Sequence, residues 1–303
     1  MSVIGKLLVL IRQEQGLTQE ELVIKLAFAS SVFNSLNTVT LSRWETGTTS
    51  TSYKKKRGLL KIFTANGWLR SGPCHNYVRE RFEYLCRPLT AVLEHNYESL
   101  VANVPTLKVG LDEYNIHSLQ SAKVNCKKHH FDNIIDIEDA SNPTGYYTVT
   151  PESLQKLCSH KSSFAIVCER KTQHLGHFLM FKVKNDVARD LTHNRINEHS
   201  ITNEHCCGAT VKGCYYIHAL YGVNPTIAAL LNSKAYIYLF DNMSGIDNIV
   251  IFSSRKDGLR LAKAYGIKTV AKGRNRKCNF TWHGMESPVE DILFSDTVLR
   301  LVF

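Results

Sequence analysis

Six side chains that bind metals lie close together in one polar stretch: His193, His199, His205, Cys206, Cys207 and Cys214. Zinc sites need ligands at set spacings, usually with a Cys-x-x-Cys pair. No such pair occurs anywhere in the chain. The expectation is therefore no metal site, and Cys206-Cys207 reads as two ordinary thiols rather than a redox pair. The chain has nine cysteines, an odd number without regular spacing. The first residues lack a small-residue cleavage site, so no signal peptide is expected. Reduced thiols in a cytoplasm follow. No run of about 18 apolar residues is present, so no membrane partner is expected.

Charge is the second chemical signal. The formal net charge is +10, and residues 1–70 hold ten Lys/Arg and four Glu, a net +6. A basic N-terminal region suits a polyanion, nucleic acid before membrane. The chain's 303 residues suggest two domains or three small ones. Its 44% hydrophobic and 21% charged residues exclude a disordered chain or a coiled-coil rod.

The N-terminal elements are legible locally. Ile4, Leu7, Leu8 and Ile11 recur at helical spacing up to Gly16. Thr18 and Glu21 form a capping box for a second helix carrying Leu22, Val23 and Leu26. Leu41 and Trp44 share the buried face of a third, which Gly47 stops. Thr38, Val39, Ser42 and Arg43 then point outward. Lys54, Lys55, Lys56 and Arg57 open a fourth helix with Leu59, Leu60, Ile62 and Phe63 inside.

Residues 3–67, with Gly16-Leu17-Thr18-Gln19, Leu22, Leu26, Leu41, Trp44-Glu45 and Gly47, resemble the helix-turn-helix of Cro/repressor-type (XRE) transcription regulators. The resemblance implies an all-α DNA-binding domain with one helix in the major groove. It implies base contacts from Thr38, Val39 and Arg43. It also implies phosphate contacts from Gln19, Asn37, Gly47, Thr48, Lys54, Lys55 and Lys56. Arg43 would pair with a guanine. Residues 28–36 make the inter-helix segment longer than usual in that family. Val32, Phe33 and Leu36 make it either an extended second helix or a small packed insertion.

Residues 76–103 read as helical, interrupted at Pro88. Val78, Phe82, Leu85, Leu89, Val92 and Leu93 form the apolar stripe, either core or a dimer seam. Residues 104–145 are mixed and polar, with Cys126, Lys127, Lys128, His129 and His130, and Asn142-Pro143-Thr144-Gly145 marks a boundary. The expected division is 1–70, a connector at 71–145, and 146–303.

The last part alternates strands and helices. Thr150-Pro151 opens a helix, and strands are predicted at 164–168, 177–183 and 213–221. The run 184–210 reads as an exposed loop. Asn224-Pro225-Thr226 caps a long helix, 248–252 is a buried strand, and Ser253-Ser254 caps a helix that ends at Gly266. Terminal strands are predicted at 279–283 and 297–303.

This order, with the segment Asp257 to Ile267, resembles the GNAT superfamily of N-acetyltransferases. It implies a two-domain protein overall: the all-α domain and an α/β GNAT-like domain with a mixed central sheet. Such enzymes grip the acyl-CoA pyrophosphate on backbone amides of a Gly-rich loop entering a helix. Here that stretch is Val223 to Ala229, with no Gly and no Arg, and Pro225 lacks an amide. The general-acid Tyr of many family members aligns with Ala262, and Tyr265 is out of phase. No catalytic residue is assigned. His218 is the base candidate, against a packed strand histidine. A cleft between splayed strands would be lined by His218, Leu220, Tyr221, Asn224, Thr226 and Ser254. Tyr215, Tyr216, Tyr236 and Tyr238 are either further lining or core.

The leading reading is thus a homodimeric, sequence-specific regulator binding an operator in double-stranded DNA. Its GNAT-like part would dimerise the chain or sense an acyl or acyl-CoA ligand. The alternatives are a DNA-targeted acyl-CoA-dependent N-acyltransferase and an antitoxin-like interaction module.

Overall fold

The structure, a computed structural model, describes residues 2–96, 114–120, 124–141, 149–276 and 279–303. The side chains of Val92, Cys126, Lys127 and Lys128, and all of Asn142-Pro143-Thr144-Gly145, lie outside the described residues. The chain forms two compact units, Met1–Leu85 with Ile292–Phe303, and Cys86–Asp291.

The first unit is helical. It holds α1 (Val3–Gln15), α2 (Gln19–Ala29), α3 (Thr38–Thr46), α4 (Tyr53–Ala65) and α5 (Gly72–Glu83). Ile4, Leu7, Leu8 and Ile11 of α1 are buried, as their spacing predicts. The Thr18 capping box forms, with Thr18 N donating to Glu21 Oε2 at 2.8 Å and Glu21 N to Thr18 Oγ1 at 3.2 Å. The long segment after α2 is a packed insertion: a 3-10 turn at Ser31–Phe33 drives Phe33 into the core. Gly5 lets α1 cross α3 closely, since a Cβ there would stand 2.4 Å from Trp44 O.

After a short α12 (Val289–Leu293), the last described residues form a helix rather than the strand predicted at 297–303: α13 (Asp296–Val302). Thr-Val-Leu-Arg-Leu-Val is short and β-branched at three positions, as many strands are. Val298, Leu299 and Val302 nonetheless share one buried helical face, and Ser295 caps it by accepting from Val298 N. Packing decides where so short an apolar run is ambiguous between strand and helix.

The second unit is built on one seven-stranded sheet, in the order β1-β2-β3-β4-β5-β7-β6. Its strands are β1 (Asn115–Ser118), β2 (Phe164–Arg170), β3 (Gln173–Val183), β4 (Gly213–Gly222), β5 (Ile246–Ser253), β6 (Lys268–Asn275) and β7 (Phe280–Pro288). The sheet is mixed, as expected: β4 and β5 run parallel and the other pairs antiparallel. One face carries α7 (Val124–Ser141), α8 (Pro151–Cys158) and α9 (Asn185–Thr192), packed on Leu179, Phe181 and Val183. The other carries α10 (Pro225–Asp241), where Ile227 and Leu231 sit against Gly176. Helix α6 (Cys86–Asn96) packs along α10. Pro88 falls in the first turn of α6, where a missing amide costs no hydrogen bond.

The run 184–210 is not an exposed loop. It opens with α9, whose Val187, Ala188 and Leu191 are buried, and Ile201 and Cys206 join the same core. Its charged residues lie on the helix's outer face, and they give the segment its polar composition. Helix α11 (Lys256–Ala264) starts later than Ser253-Ser254 would set it, because Ser253 Oγ accepts from Arg255 N at 3.2 Å and holds one more turn residue.

Candidate active site

Strand β4 positions the site. It pairs with β5 from Gly213↔Ile246 to Ile217↔Ile251, and the pairing stops there. β4 runs on to Gly222, while β5 continues against β7 through Ser253↔His283. The two strands therefore part at residue 218. On the other side, β4 pairs with β3 as Met180↔Ile217 and Leu179↔Ala219. His218 is the extra residue of this bulge. Bulges re-aim side chains and increase local twist, which opens the sheet where His218 sits.

His218 Nδ1 stands 3.5 Å from Glu198 Oε2, in the turn after α9, with both side chains largely buried. The Tyr216 hydroxyl donates to the same Glu198 oxygen. Burial opposes charging of His218. Glu198, 3.5 Å away, together with the charge of Glu138, outweighs it and raises its pKa above the ordinary histidine value. Glu198 also lines a shallow recess with Leu191, Asn194, Ile196, Asn197 and Phe252. Glu138, on α7, accepts from His177 Nε2 at 3.2 Å. Its burial alone would raise its pKa. The His177 hydrogen bond and the charges of His177, His218 and Arg255 reverse that, so the carboxyl is held below its ordinary range. Arg255 in turn pairs with Asp257 at 3.0 Å.

The predicted cleft residues fall partly together. His218, Leu220 and Tyr221 occupy the half of β4 that β5 leaves, and Asn224 and Thr226 follow at the start of α10. Ser254 lies in the β5–α11 connection. Tyr221 stacks on His177 at 5.6 Å. Tyr215 and Tyr238 belong to the core on the α10 face: their hydroxyls meet at 2.6 Å, and Tyr215 also donates to Ser162 O at 2.8 Å. Tyr236 is buried on α10. Glu198 and Glu138 went unrecognised in the sequence, because each lies in a polar stretch with no spacing relation to His218.

The start of α10 does not fit a pyrophosphate. Pro225 has no amide, Ile227 N donates to Asn224 Oδ1 at 2.9 Å, and Ala228 N donates to Asn224 O at 3.1 Å. Of positions 225–228, only Thr226 has an amide that Asn224 does not take. The tight corner uses Gly222, where a Cβ would stand 2.7 Å from Ala228 N. The metal-ligand types noted above are spent locally: His193 Nδ1 meets Arg189 O at 2.9 Å, and His205 Nδ1 closes the Thr202 turn at 3.0 Å. Among the described residues no group of three or more such side chains could hold a metal ion, and no helix is long and apolar enough to cross a membrane.

In the helical unit, Thr38, Val39 and Arg43 are exposed on α3, and Lys54 is exposed on α4. The other expected phosphate contacts are largely engaged within the unit. Gln19 Nε2 donates to Glu45 Oε2 at 2.8 Å, and Asn37 Oδ1 caps α3 by accepting from Thr40 N. Lys55 lies over the Trp44 ring at 5.1 Å. Lys56 donates to Phe303 O at 2.8 Å, and Arg57 pairs with Asp296 at 2.7 Å. Gly47 takes the left-handed C-cap conformation, and Thr48 bonds Thr46.

No family model and no curated protein matches the chain. Solved structures do. One is an N-acetyltransferase from Staphylococcus aureus, 13% identical, covering 58% of this chain and 98% of its own at a TM-score of 0.38. A second is FeeM, an N-acyl amino acid synthase from uncultured soil microbes, 13% identical, covering 63% and 97% at 0.43. A third is Arabidopsis thaliana NAA60 in complex with acetyl-CoA, 12% identical, covering 58% and 99% at 0.39. The expected DNA-binding regulator, with its XRE domain, operator and homodimer, is corrected: Gln19, Asn37, Lys55 and Lys56 already serve the helical unit's own packing. The sheet unit is a mixed α/β fold, as expected.

Proposed function

We propose that the sheet unit catalyses N-acyl transfer from an acyl thioester to a primary amine. The observation that carries this reading is the bulged His218, paired with Glu198 at the point where β4 and β5 part. An amine arrives as an ammonium ion and must lose a proton before it attacks. The Glu198 carboxylate borders the recess and is placed to attract that ammonium and take the proton. His218, kept charged by two carboxylates, is placed to give a proton to the departing thiolate. The C–N bond forms as the C–S bond breaks, and the amide and a free thiol result. The capped start of α10 gives little hold on a pyrophosphate, so the donor's grip must come from its acyl and thioester end.

The test is thiol release by the full chain, using acetyl and longer acyl-CoA donors against a panel of small amines. Amine-dependent release that His218→Asn and Glu198→Gln each lower about a hundredfold supports the reading. No release with any pair contradicts it.

A further inference from the structure

Residues 254–283 hold nine Lys/Arg and one Asp, a net charge of nine minus one, +8, against +10 for the whole chain. They run through α11, β6 and the start of β7. On α11, Lys256, Arg260 and Lys263 are exposed and recur at i, i+4 and i+7, so they share one side of the helix. On β6, Lys268, Lys272 and Arg274 are exposed. The one acid, Asp257, is buried and pairs with Arg255 at 3.0 Å. Glu286, opposite Lys268 in the ladder, accepts from Asn248 Nδ2 at 2.6 Å. None of these six exposed cations forms an ion pair among the described residues.

The sheet register gathers cations of both elements on one side. Lys272 pairs with His283 and Arg274 with Thr281, and paired residues point to the same face. Burial, then the charges of Lys263 and Lys272, hold the His283 pKa below the ordinary histidine value, so the α11 stripe and the β6 cations meet around that residue. Arg274 is steadied by Nη2 donating to Asn279 Oδ1 at 2.7 Å. Strand β6 is also the last in the sheet order and is hydrogen-bonded to β7 alone. From Lys268 to Arg274 its outer row of peptide groups faces no other strand among the described residues. Lysines on such an edge guard it against a second copy, because like charges would then lie opposite one another. The stripe on α11 exceeds what guarding one strand needs. The arrangement that repels a basic strand attracts an acidic one.

We propose that β6 and α11 form a docking surface for an acidic peptide segment of a partner protein, which adds to the edge of the sheet as a further strand. The surface stands independently of the N-acyl transfer reading. Same-face side chains of a strand repeat every second residue, about 6.8 Å apart. Acids at alternate positions of the added strand therefore lie opposite Lys272 and Arg274, while its backbone bonds to the outer row of β6. Lys263 and Arg260 extend the positive field over α11 and hold acids that follow the paired segment. A nucleic acid would use the charges but not the row of peptide groups, which is why a peptide is the better match.

The test is fluorescence anisotropy of the full chain with two labelled, end-capped peptides of equal length and charge. One alternates Glu and Thr; the other is the same sequence with every backbone nitrogen methylated, so it has no N–H to give to the edge. The Glu-Thr peptide should bind at least about tenfold tighter than its methylated counterpart, and added salt should weaken it. Lys272→Glu combined with Arg274→Glu, checked for folding by circular dichroism, should weaken it about tenfold or more. Lys263→Glu, on the helix, gives a second reading should the strand variant not fold. Hydrogen exchange should show β6 amides protected by the Glu-Thr peptide and not by the methylated one. Equal binding of the two peptides, no binding of either, or an affinity that charge reversal leaves unmoved overturns the proposal. So does tighter binding of oligouridylate than of the Glu-Thr peptide, which would make the surface a nucleic-acid site. Protection of β6 in the chain alone that is lost on dilution also overturns it, giving the edge to a second copy.

Discussion

His218 Nδ1 and Glu198 Oε2 face each other at 3.5 Å. One residue is the bulge of β4 and the other belongs to a turn that sequence polarity would leave in solvent. The bulge supplies the extra residue, and the parting of β4 from β5 supplies the space.

The charge on His218 should govern the pH profile. Its folded pKa is raised, and it acts in the protonated form. Turnover should therefore fall as pH rises through that raised value. Glu198→Gln removes the largest charge partner, so the falling limb should move to lower pH. A limb unmoved in the variant would separate Glu198 from the titration.

Acid should destabilise the sheet unit. Burial, then the charges of His177, His130 and His129, push His174 down to about 3. His130 is also lowered, first by burial and then by His129. Both protonate in the unfolded chain near pH 6.5; in the folded chain His174 does so only near 3 and His130 below its ordinary value. Unfolding then takes up protons, so stability is lost as pH falls from about 6.5 towards 3. Urea midpoints at pH 7.5 and 5.5 measure this. His174→Gln should shrink the difference.

Glu45 holds three elements of the helical unit together. It accepts from Arg12 Nε at 2.6 Å, Arg12 Nη2 at 3.1 Å and Gln19 Nε2 at 2.8 Å, and it is 5% exposed. Glu45→Ala leaves those donors unmatched and should cost about 2–3 kcal/mol in denaturant unfolding. A loss below about 0.5 kcal/mol would reduce it to a surface pair.

Gly222→Ala should disturb the corner between β4 and α10. Its Cβ would meet Ala228 N at 2.7 Å, and backbone cannot yield as a side-chain end does. A cost of about 1–3 kcal/mol is expected, typical of overpacking. Unchanged stability would show that α10 shifts freely.

Local signals were legible and assembled ones were not. The Thr18–Glu21 box and the stripe Ile4, Leu7, Leu8 and Ile11 involve neighbours within a helix turn or two, so spacing alone locates them. Strand β6 escaped because an edge strand buries little: Lys268, Thr269 and Val270 are exposed. The terminal helix escaped because a seven-residue run is too short for its spacing to separate helix from strand. His218 was visible as an ionisable group in an apolar run. Its partners were not, since Glu198 lies in a turn packed by α9 and Glu138 reaches His177 from 39 residues away. Sequence spacing carries no information about a contact that a sheet register and a packed helix create together.

The central claim is tested most directly by product mass. The full chain is incubated with carbon-13 acetyl-CoA and a panel of amines, and products are read by mass spectrometry for wild type, His218→Asn and Glu198→Gln. The account predicts a labelled amide from wild type, reduced about a hundredfold in each variant. A labelled amide formed equally by all three would remove the His218–Glu198 pair from the chemistry, and no amide from wild type would contradict N-acyl transfer.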